Sequence, residues 1–190
     1  MGADVFPANG QWHGIGAAGS VRFDSSACGQ HFRGDDHAQM RIALFEPDIP
    51  QNAGALIRLA ACMDLAIDII EPCGFLLSDN ALRRAGMDYL EEAVIVRHAS
   101  WNTFVSSVGS ERIVLLTVKG VLPYTEFEFR SDDIVLLGRE SAGVPEPVHA
   151  RANARLRIPI RAGLRSLNVA QAGAMVVGEA LRQTRGFPGQ

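Results

Sequence analysis

Lysine is almost missing from this chain: Lys119 is the only one among 190 residues that carry 18 basic side chains. The others are arginines, better bidentate ligands of phosphate, although a GC-rich genome enriches arginine equally well. Cysteine is scarce too. Cys28, Cys62 and Cys73 are odd in number and form no C-x-x-C, which argues against a disulfide framework or a zinc site and suits reduced thiols in a cytoplasmic protein. No apolar run approaches the roughly 18 residues of a membrane span, and no charged segment followed by an apolar one opens the chain. Neither a spanning helix nor an export signal is expected. Glycine-rich loops lack the G-K-[ST] ending of a P-loop, so a nucleoside triphosphate is not indicated. No serine, histidine or cysteine triad stands out, and His98 and His149, with no motif around them, read as surface or helix-end histidines.

The first 39 residues differ from the rest. Gly2, Gly10, Gly14, Gly16, Gly19, Gly29 and Gly34 punctuate them without periodicity, whereas Met40 opens abruptly on a strand-like run. Residues 1–39 are therefore expected to be a non-native or disordered leader, and residues 40–190 a single domain. Within the leader, Gly14-Ile-Gly-Ala-Ala-Gly19 matches the dinucleotide fingerprint letter for letter, but no strand feeds it and no helix receives a pyrophosphate. It reads as chance. From Met40 onward there are 16 basic and 17 acidic side chains, net −1, so global charge selects no partner. Clustering says more. Arg83-Arg84, Arg155 with Arg157, and Arg161 with Arg165 make an RNA-backbone surface plausible, with a solvated face as the plain alternative.

Short apolar runs alternate with helical patterns after Met40. Ile42–Phe45, Ala66–Ile70, Ala93–Val96, Ile113–Leu116, Ile134–Leu137 and Leu156–Ile160 read as six strands. Helices are expected over Ala53–Met63, Asn80–Ala85, Trp101–Val108 behind a Ser100 cap, Pro147–Ala152 and Val169–Leu181. This order implies a three-layer α/β domain with a mainly parallel sheet, whose ligands sit beyond the carboxyl ends of the strands. The last helix has only Gln171 and Glu179 as strongly polar members, so it must be covered on most sides, by a large domain or by a second subunit.

Candidate chemistry gathers in the loops at those strand ends. After the first strand, Asn52 is a candidate helix cap, Gly54 permits close approach, and Arg58 stands nearly two turns into the helix. Spacing alone leaves Arg58 open between a salt bridge to Glu46 or Asp48 and a phosphate or ribose contact. Leu116-Thr-Val-Lys119-Gly120 and Leu137-Gly138-Arg-Glu140-Ser-Ala-Gly143-Val144-Pro145 are glycine-containing loops at two strand ends, and Ser166-Leu-Asn168 follows a third.

Asn52-x-Gly54-x-x-x-Arg58, Gly138-x-Glu140-x-x-Gly143-Val144-Pro145, and Ile158-Pro-Ile160 through Ser166-Leu-Asn168-Val169 resemble, in order and separation, the three motifs of the SpoU branch of SPOUT methyltransferases. Phe45-Glu-Pro, Ile70-Glu-Pro-Cys-Gly-Phe75, Leu82-Arg-Arg-Ala-Gly-Met-Asp-Tyr89 and Gly186-Phe-Pro-Gly189 are similar to the minimal TrmL-type subgroup. The resemblance implies an α/β domain with a C-terminal deep trefoil knot, a rare exception to un-knotted topology. It implies S-adenosyl-L-methionine as cofactor, with Leu116, Gly138, Ile158 and Ser166 lining it and S-adenosyl-L-homocysteine as product. It implies a tRNA substrate methylated on the ribose 2′-hydroxyl of the wobble nucleotide. It also implies a homodimer joined through the knot and C-terminal helix, with neither metal nor membrane. Arg58, Asn52, Glu140 and Asn168 are the catalytic set it implies, with Arg58 reaching the transfer site, the partner subunit being one source. A guanidinium with a pKa above about 12 is a poor base, so Arg58 is expected to donate hydrogen bonds. Two departures stand out: Arg139 where relatives usually carry proline, and Ala142 where they usually carry arginine. Competing readings are a ribosomal RNA ribose methyltransferase, a non-catalytic RNA-binding or cofactor-binding SPOUT relative, and a flavodoxin-like nucleotide-binding domain.

Overall fold

The computed structural model describes residues 39–76 and 93–189. The expected leader with its glycine motif and Cys28, the expected helix Asn80–Ala85, the Arg83-Arg84 cluster and the Leu82–Tyr89 motif fall on residues outside that set.

The strands of the sheet are rich in Ile, Val and Leu; the central ones are buried on both faces, as a parallel sheet covered by helices requires, and those toward its edges are partly exposed. The strands are β1 (Arg41–Phe45), β2 (Ala66–Ile70), β3 (Val94–His98), β4 (Ile113–Leu116), β5 (Leu122–Pro123), β6 (Ile134–Leu137) and β7 (Ala154–Arg157). All pair in parallel, in the order β3-β2-β1-β6-β4-β7-β5. Seven strands replace the six expected. The addition, β5, has two residues, too few for a periodic signal, and its Pro123 is tolerated because β5 is an edge strand. At the end of β7 the expectation also shifts: pairing stops at Arg157, two residues before Pro159, so Ile158–Ile160 leave the sheet.

Among the described residues four α-helices complete the layers. On one face lie α1 (Pro50–Cys62) and α4 (Val169–Thr184); on the other lie α2 (Trp101–Ser107) and α3 (Glu146–Arg151). Leu56, Ile57 and Ala60 of α1 and Val176, Val177 and Leu181 of α4 meet Ile42, Leu44, Val135 and Leu137 beneath them. Each such buried aliphatic side chain contributes about 1.5–3 kcal/mol. Phe104 and Val148 close the opposite face over Ala43, Phe45, Leu115 and Leu136. As expected, Ser100 caps α2 by accepting from the Thr103 amide at 3.2 Å. The cap expected at Asn52 is absent: α1 begins at Pro50 with Ile49 before it, and Asn52 lies buried inside the first turn. Proline is suited to that first position, where its missing N–H has no partner to lose. Of the two histidines expected at the surface or at a helix end, His98 is buried at the end of β3 and His149 stands in the last turn of α3, 6% exposed.

The strand order forces a long return. From β7, near one edge, the chain crosses back over β4 and β6 to seat α4 against α1. Where it leaves β7 it runs hard against the loop after β4. Thr117 N donates to Leu156 O at 2.9 Å, and a Cβ on Gly120 would stand 2.3 Å from the Leu156 carbonyl carbon and 2.7 Å from Arg157 N. Only glycine fits there. Gln183 of α4 fastens the next segment, accepting from Phe129 N and donating to Phe127 O, both at 3.0 Å. Replacing Gly120 with alanine is expected to lower stability by about 1–3 kcal/mol through overpacking against backbone. The check is a denaturant midpoint; an unchanged midpoint would show that the loop yields freely.

Candidate active site at the carboxyl edge of the sheet

Strand order reverses between β1 and β6, where an open parallel sheet leaves a crevice beyond its strand ends. A cleft of about 850 Å3 occupies that place. The loops after β1, β4, β6 and β7 form it, as the strand-end rule required. Leu116, Gly138, Ile158 and Ser166, the expected cofactor set, all line it, and so do Asn52, Glu140 and Asn168.

Those last three side chains form one hydrogen-bond relay, and its polarity is forced. Asn168 caps α4, its Oδ1 accepting from the amides of Ala170 (2.9 Å) and Gln171 (3.3 Å). Its Nδ2 is therefore the group that donates to Asn52 Oδ1 at 2.9 Å. Asn52 Nδ2 in turn donates to Glu140 Oε1 at 2.9 Å, while the Asp48 amide donates to Glu140 Oε2 at 2.9 Å. One residue from each of the three sequence motifs is tied to the next.

Arg139 and Ser141 hold the loop after β6 down on the loop after β1. Arg139 Nη1 lies 3.0 Å from Glu46 Oε2, and its Nη2 lies 3.3 Å from Asp48 Oδ1. The second oxygen of Asp48 accepts from the Ser141 amide at 3.1 Å and from the Ser141 hydroxyl. The loop turns back at Gly143, whose φ of +67° is a conformation L side chains rarely adopt. Arg139 N and Gly143 N exchange hydrogen bonds with each other's carbonyls at 3.1 and 2.9 Å. A Cβ on Gly138 would stand 2.9 Å from Val144 Cγ1, so that position offers bare backbone to the cleft.

Arg58 is the exception among the expected catalytic residues. It is exposed, is not among the residues lining the cleft, and lies on the outer face of α1 with Gln51, Ala55 and Cys62. Glu46 and Asp48, the carboxylates offered as its salt-bridge partners, pair with Arg139. Residues that sequence reasoning passed over include Ser141, Arg139 as a brace, and His149, which lines the cleft. Nothing in local spacing marks them, because each acts across loops some 90 residues apart or from a helix with little periodicity. Among the described residues no group of three or more His, Cys, Asp or Glu side chains could hold a metal ion, and no helix is long and apolar enough to cross a membrane.

The Ser141 hydroxyl, joined by the Ser141 amide and Arg139 and opposed by desolvation, holds the Asp48 carboxyl below its ordinary value of 3.8. A depressed folded value means that the brace contributes fully above that pH and is lost as pH falls through the lower folded value. Asp48→Asn should remove it, at under about 1 kcal/mol because the pair is near the surface. Acid titration of both proteins by circular dichroism tests this: the gap in stability closes below pH 3.8. A gap that persists at lower pH would show that Asp48 acts by shape and not by charge.

A model of the SpoU rRNA methylase family matches residues 39–178. A protein of Ancylobacter novellus named tRNA (cytidine(34)-2′-O)-methyltransferase is 57% identical over 150 residues, spanning 78% of this chain and 95% of that protein. Among solved structures, one described as giving structural insights into the 2-OH methylation of C/U34 on tRNA has a TM-score of 0.73 at 38% identity, covering 77% of this chain and 96% of its own. An AdoMet-bound rRNA methyltransferase from Sinorhizobium meliloti has a TM-score of 0.69 at 27% identity, covering 77% of this chain but 57% of its own. With its three motifs joined at one cleft and its sheet shared with these proteins, the chain belongs to the SpoU methylase family.

Proposed function

We propose that this protein transfers a methyl group from S-adenosyl-L-methionine to the ribose 2′-hydroxyl of the wobble nucleotide, cytidine or modified uridine 34, of tRNA, releasing S-adenosyl-L-homocysteine. The observation that carries this reading is the Glu140–Asn52–Asn168 relay at the rim of a cleft that Leu116, Gly138, Ile158 and Ser166 line. The relatives favour tRNA over ribosomal RNA. The chain spans nearly the whole of the tRNA-methylating neighbour but only 57% of the ribosomal one, whose remaining length has no counterpart here.

The cleft suits the cofactor in size and chemistry. Its volume falls within the roughly 300–1,000 Å3 of small-molecule sites, with apolar walls from Leu116, Leu137, Val144 and Ile158 and a few polar groups at one side. Gly138 offers backbone where any Cβ would collide with the loop behind it. When bound, S-adenosyl-L-methionine supplies an electrophilic methyl on a sulfonium. The chain's residues then have to align oxygen, methyl and sulfur, and alignment of this kind is worth about 7–11 kcal/mol. Both oxygens of Glu140 are engaged by Asp48 N and Asn52, so Glu140 positions its loop and does not take the proton.

The return of the chain from β7 to α4, pressed against Gly120, supports a trefoil knot, and the apolar outer face of the same region supports a homodimer. Met175 of α4 is 43% exposed, and Leu164, Leu167 and Ile160 of the loop before it, at the rim of the cleft, are 66%, 39% and 36% exposed. A second copy seated there covers that face and brings its Arg58 to the cleft, where the guanidinium donates to the phosphate or the 2′-oxygen. Lys119, Arg157 and Arg165 line the cleft, with Arg155 and Arg161 exposed nearby; they supply the phosphate contacts for a cytoplasmic tRNA.

Nucleoside mass spectrometry of tRNA from cells with and without the protein tests the reaction. Loss of one 2′-O-methylated nucleoside at position 34 is expected; unchanged tRNA with altered ribosomal RNA would overturn it. Asn52→Asp keeps the shape of the side chain but sets a carboxylate against Glu140. It should lower kcat at least tenfold, about 1.4 kcal/mol, with the fold intact by circular dichroism. Arg58→Ala should abolish transfer while leaving S-adenosyl-L-homocysteine binding nearly unchanged. Mixing the two inactive variants should restore about a quarter of wild-type activity, because half the dimers are mixed and one site in each is whole. No recovery on mixing would place Arg58 in its own subunit's site.

A further inference from the structure

We infer that His149 reads the purine edge of the cofactor, a role resting on the cofactor assignment of the cleft. Two histidines of the described chain are buried, and they differ in one respect. His98 is satisfied: its Nε2 lies 2.7 Å from Asp68 Oδ1, and its ring meets Phe104 edge-on at 5.2 Å. His149 is 6% exposed and lines the cleft, and its imidazole makes no hydrogen bond to any described residue. Among the described residues the one buried side-chain polar atom without a hydrogen-bond partner is Asp68 Oδ2, so the His149 nitrogens are open to the cleft and not sealed in the core. An imidazole edge left open at the wall of a ligand cleft is a vacant position for a ligand's donor or acceptor.

Its place in the fold identifies which part of the ligand that is. The cleft wraps over the carboxyl edge of the sheet from one face to the other. On the α1 and α4 side stand Asn52, Glu140 and Asn168. On the α2 and α3 side, His149 follows Val148, which packs with Val144 and Leu115 in the apolar cluster of that face. The relay side is polar and belongs to the reacting groups. On the His149 side the imidazole stands beside the apolar Leu115 and Val144, which suits a flat heteroaromatic base with nitrogen atoms on its rim. Neutral imidazole offers one donor and one acceptor, enough to tell adenine from a purine whose rim has its donors and acceptors exchanged.

Calorimetric binding of S-adenosyl-L-homocysteine and of its hypoxanthine counterpart, S-inosyl-L-homocysteine, tests this without turnover. His149→Leu, near in volume, is expected to weaken binding of the adenine ligand about tenfold, the upper range for one buried hydrogen bond. It should leave the hypoxanthine ligand within about twofold, so that selectivity collapses. His149→Gln keeps a donor and an acceptor and should hold the adenine ligand within about threefold of wild type. Equal losses for both ligands in His149→Leu, or no loss for either, would overturn the role. A wild-type protein that binds neither ligand would instead overturn the cofactor reading of the cleft.

Discussion

The cleft depends on one constraint, the hydrogen-bond relay Glu140–Asn52–Asn168, which spans partners 88 and 116 residues apart in sequence. Its energetics come from two helix ends. α1 has no side-chain cap and no acidic residue in its first turn, so its partial positive charge is uncompensated by its own sequence. Glu140 supplies the missing carboxylate from the loop after β6, the strand beside β1, accepting from Asp48 N just before that helix and from Asn52 within it. Helix-end charge of this kind is worth about 0.3–1 kcal/mol. α4 is capped within its own sequence, by Asn168. The unused amide of that cap then reaches Asn52, so capping one helix and charging the other become a single structure.

Around this relay the loops need a separate brace, because a glycine-rich turn after a strand has little intrinsic shape. Arg139 and Ser141 provide it by closing on Glu46 and Asp48. The arginine that departs from the usual family pattern thereby has its charge committed to the enzyme's own carboxylates. Cations left for a polyanionic partner are Lys119, Arg157 and Arg165 on the cleft, none of them in an ion pair with a described residue.

Much of this was legible in the chain. Runs such as Ile134–Leu137 signal strands buried on both faces, Ser100 signals a helix start, and the near-absence of polar groups in Val169–Leu181 signals an apolar face that one subunit leaves partly exposed. Other features lay beyond local pattern. β5 pairs for two residues at an edge, held by Gly120 against the chain leaving β7, a contact no window of sequence contains. His98 looked like a surface residue because β3 seemed to end at Val96; the strand runs two residues further and carries His98 inward to Asp68. His149 sits on a six-residue helix whose periodicity is too short to reveal which side is buried. The role of Asn52 as relay and not cap required knowing that Pro50 starts the helix.

The relay also determines what the site can do alone. A carboxylate with both oxygens engaged and two amides locked in one polarity make good positioning groups and poor proton acceptors. Asn52, Glu140 and Asn168 can thus fix the loops about a methyl donor, yet none of them carries a positive charge to set against a ribose oxygen or its neighbouring phosphate. Among the proposed catalytic residues only Arg58 has that capacity, and it stands on the outer face of α1, away from its own cleft. The same face of the domain shows the exposed apolar groups of α4 and the preceding loop. In the proposed dimer, covering those groups and completing the site would be one event: burial of Met175, Leu164 and Leu167 against a second copy would supply the free energy that holds Arg58 where the chemistry needs a cation. Catalysis and association become inseparable on this proposal, because the group that meets the developing charge and the surface that holds it in place come from the same contact.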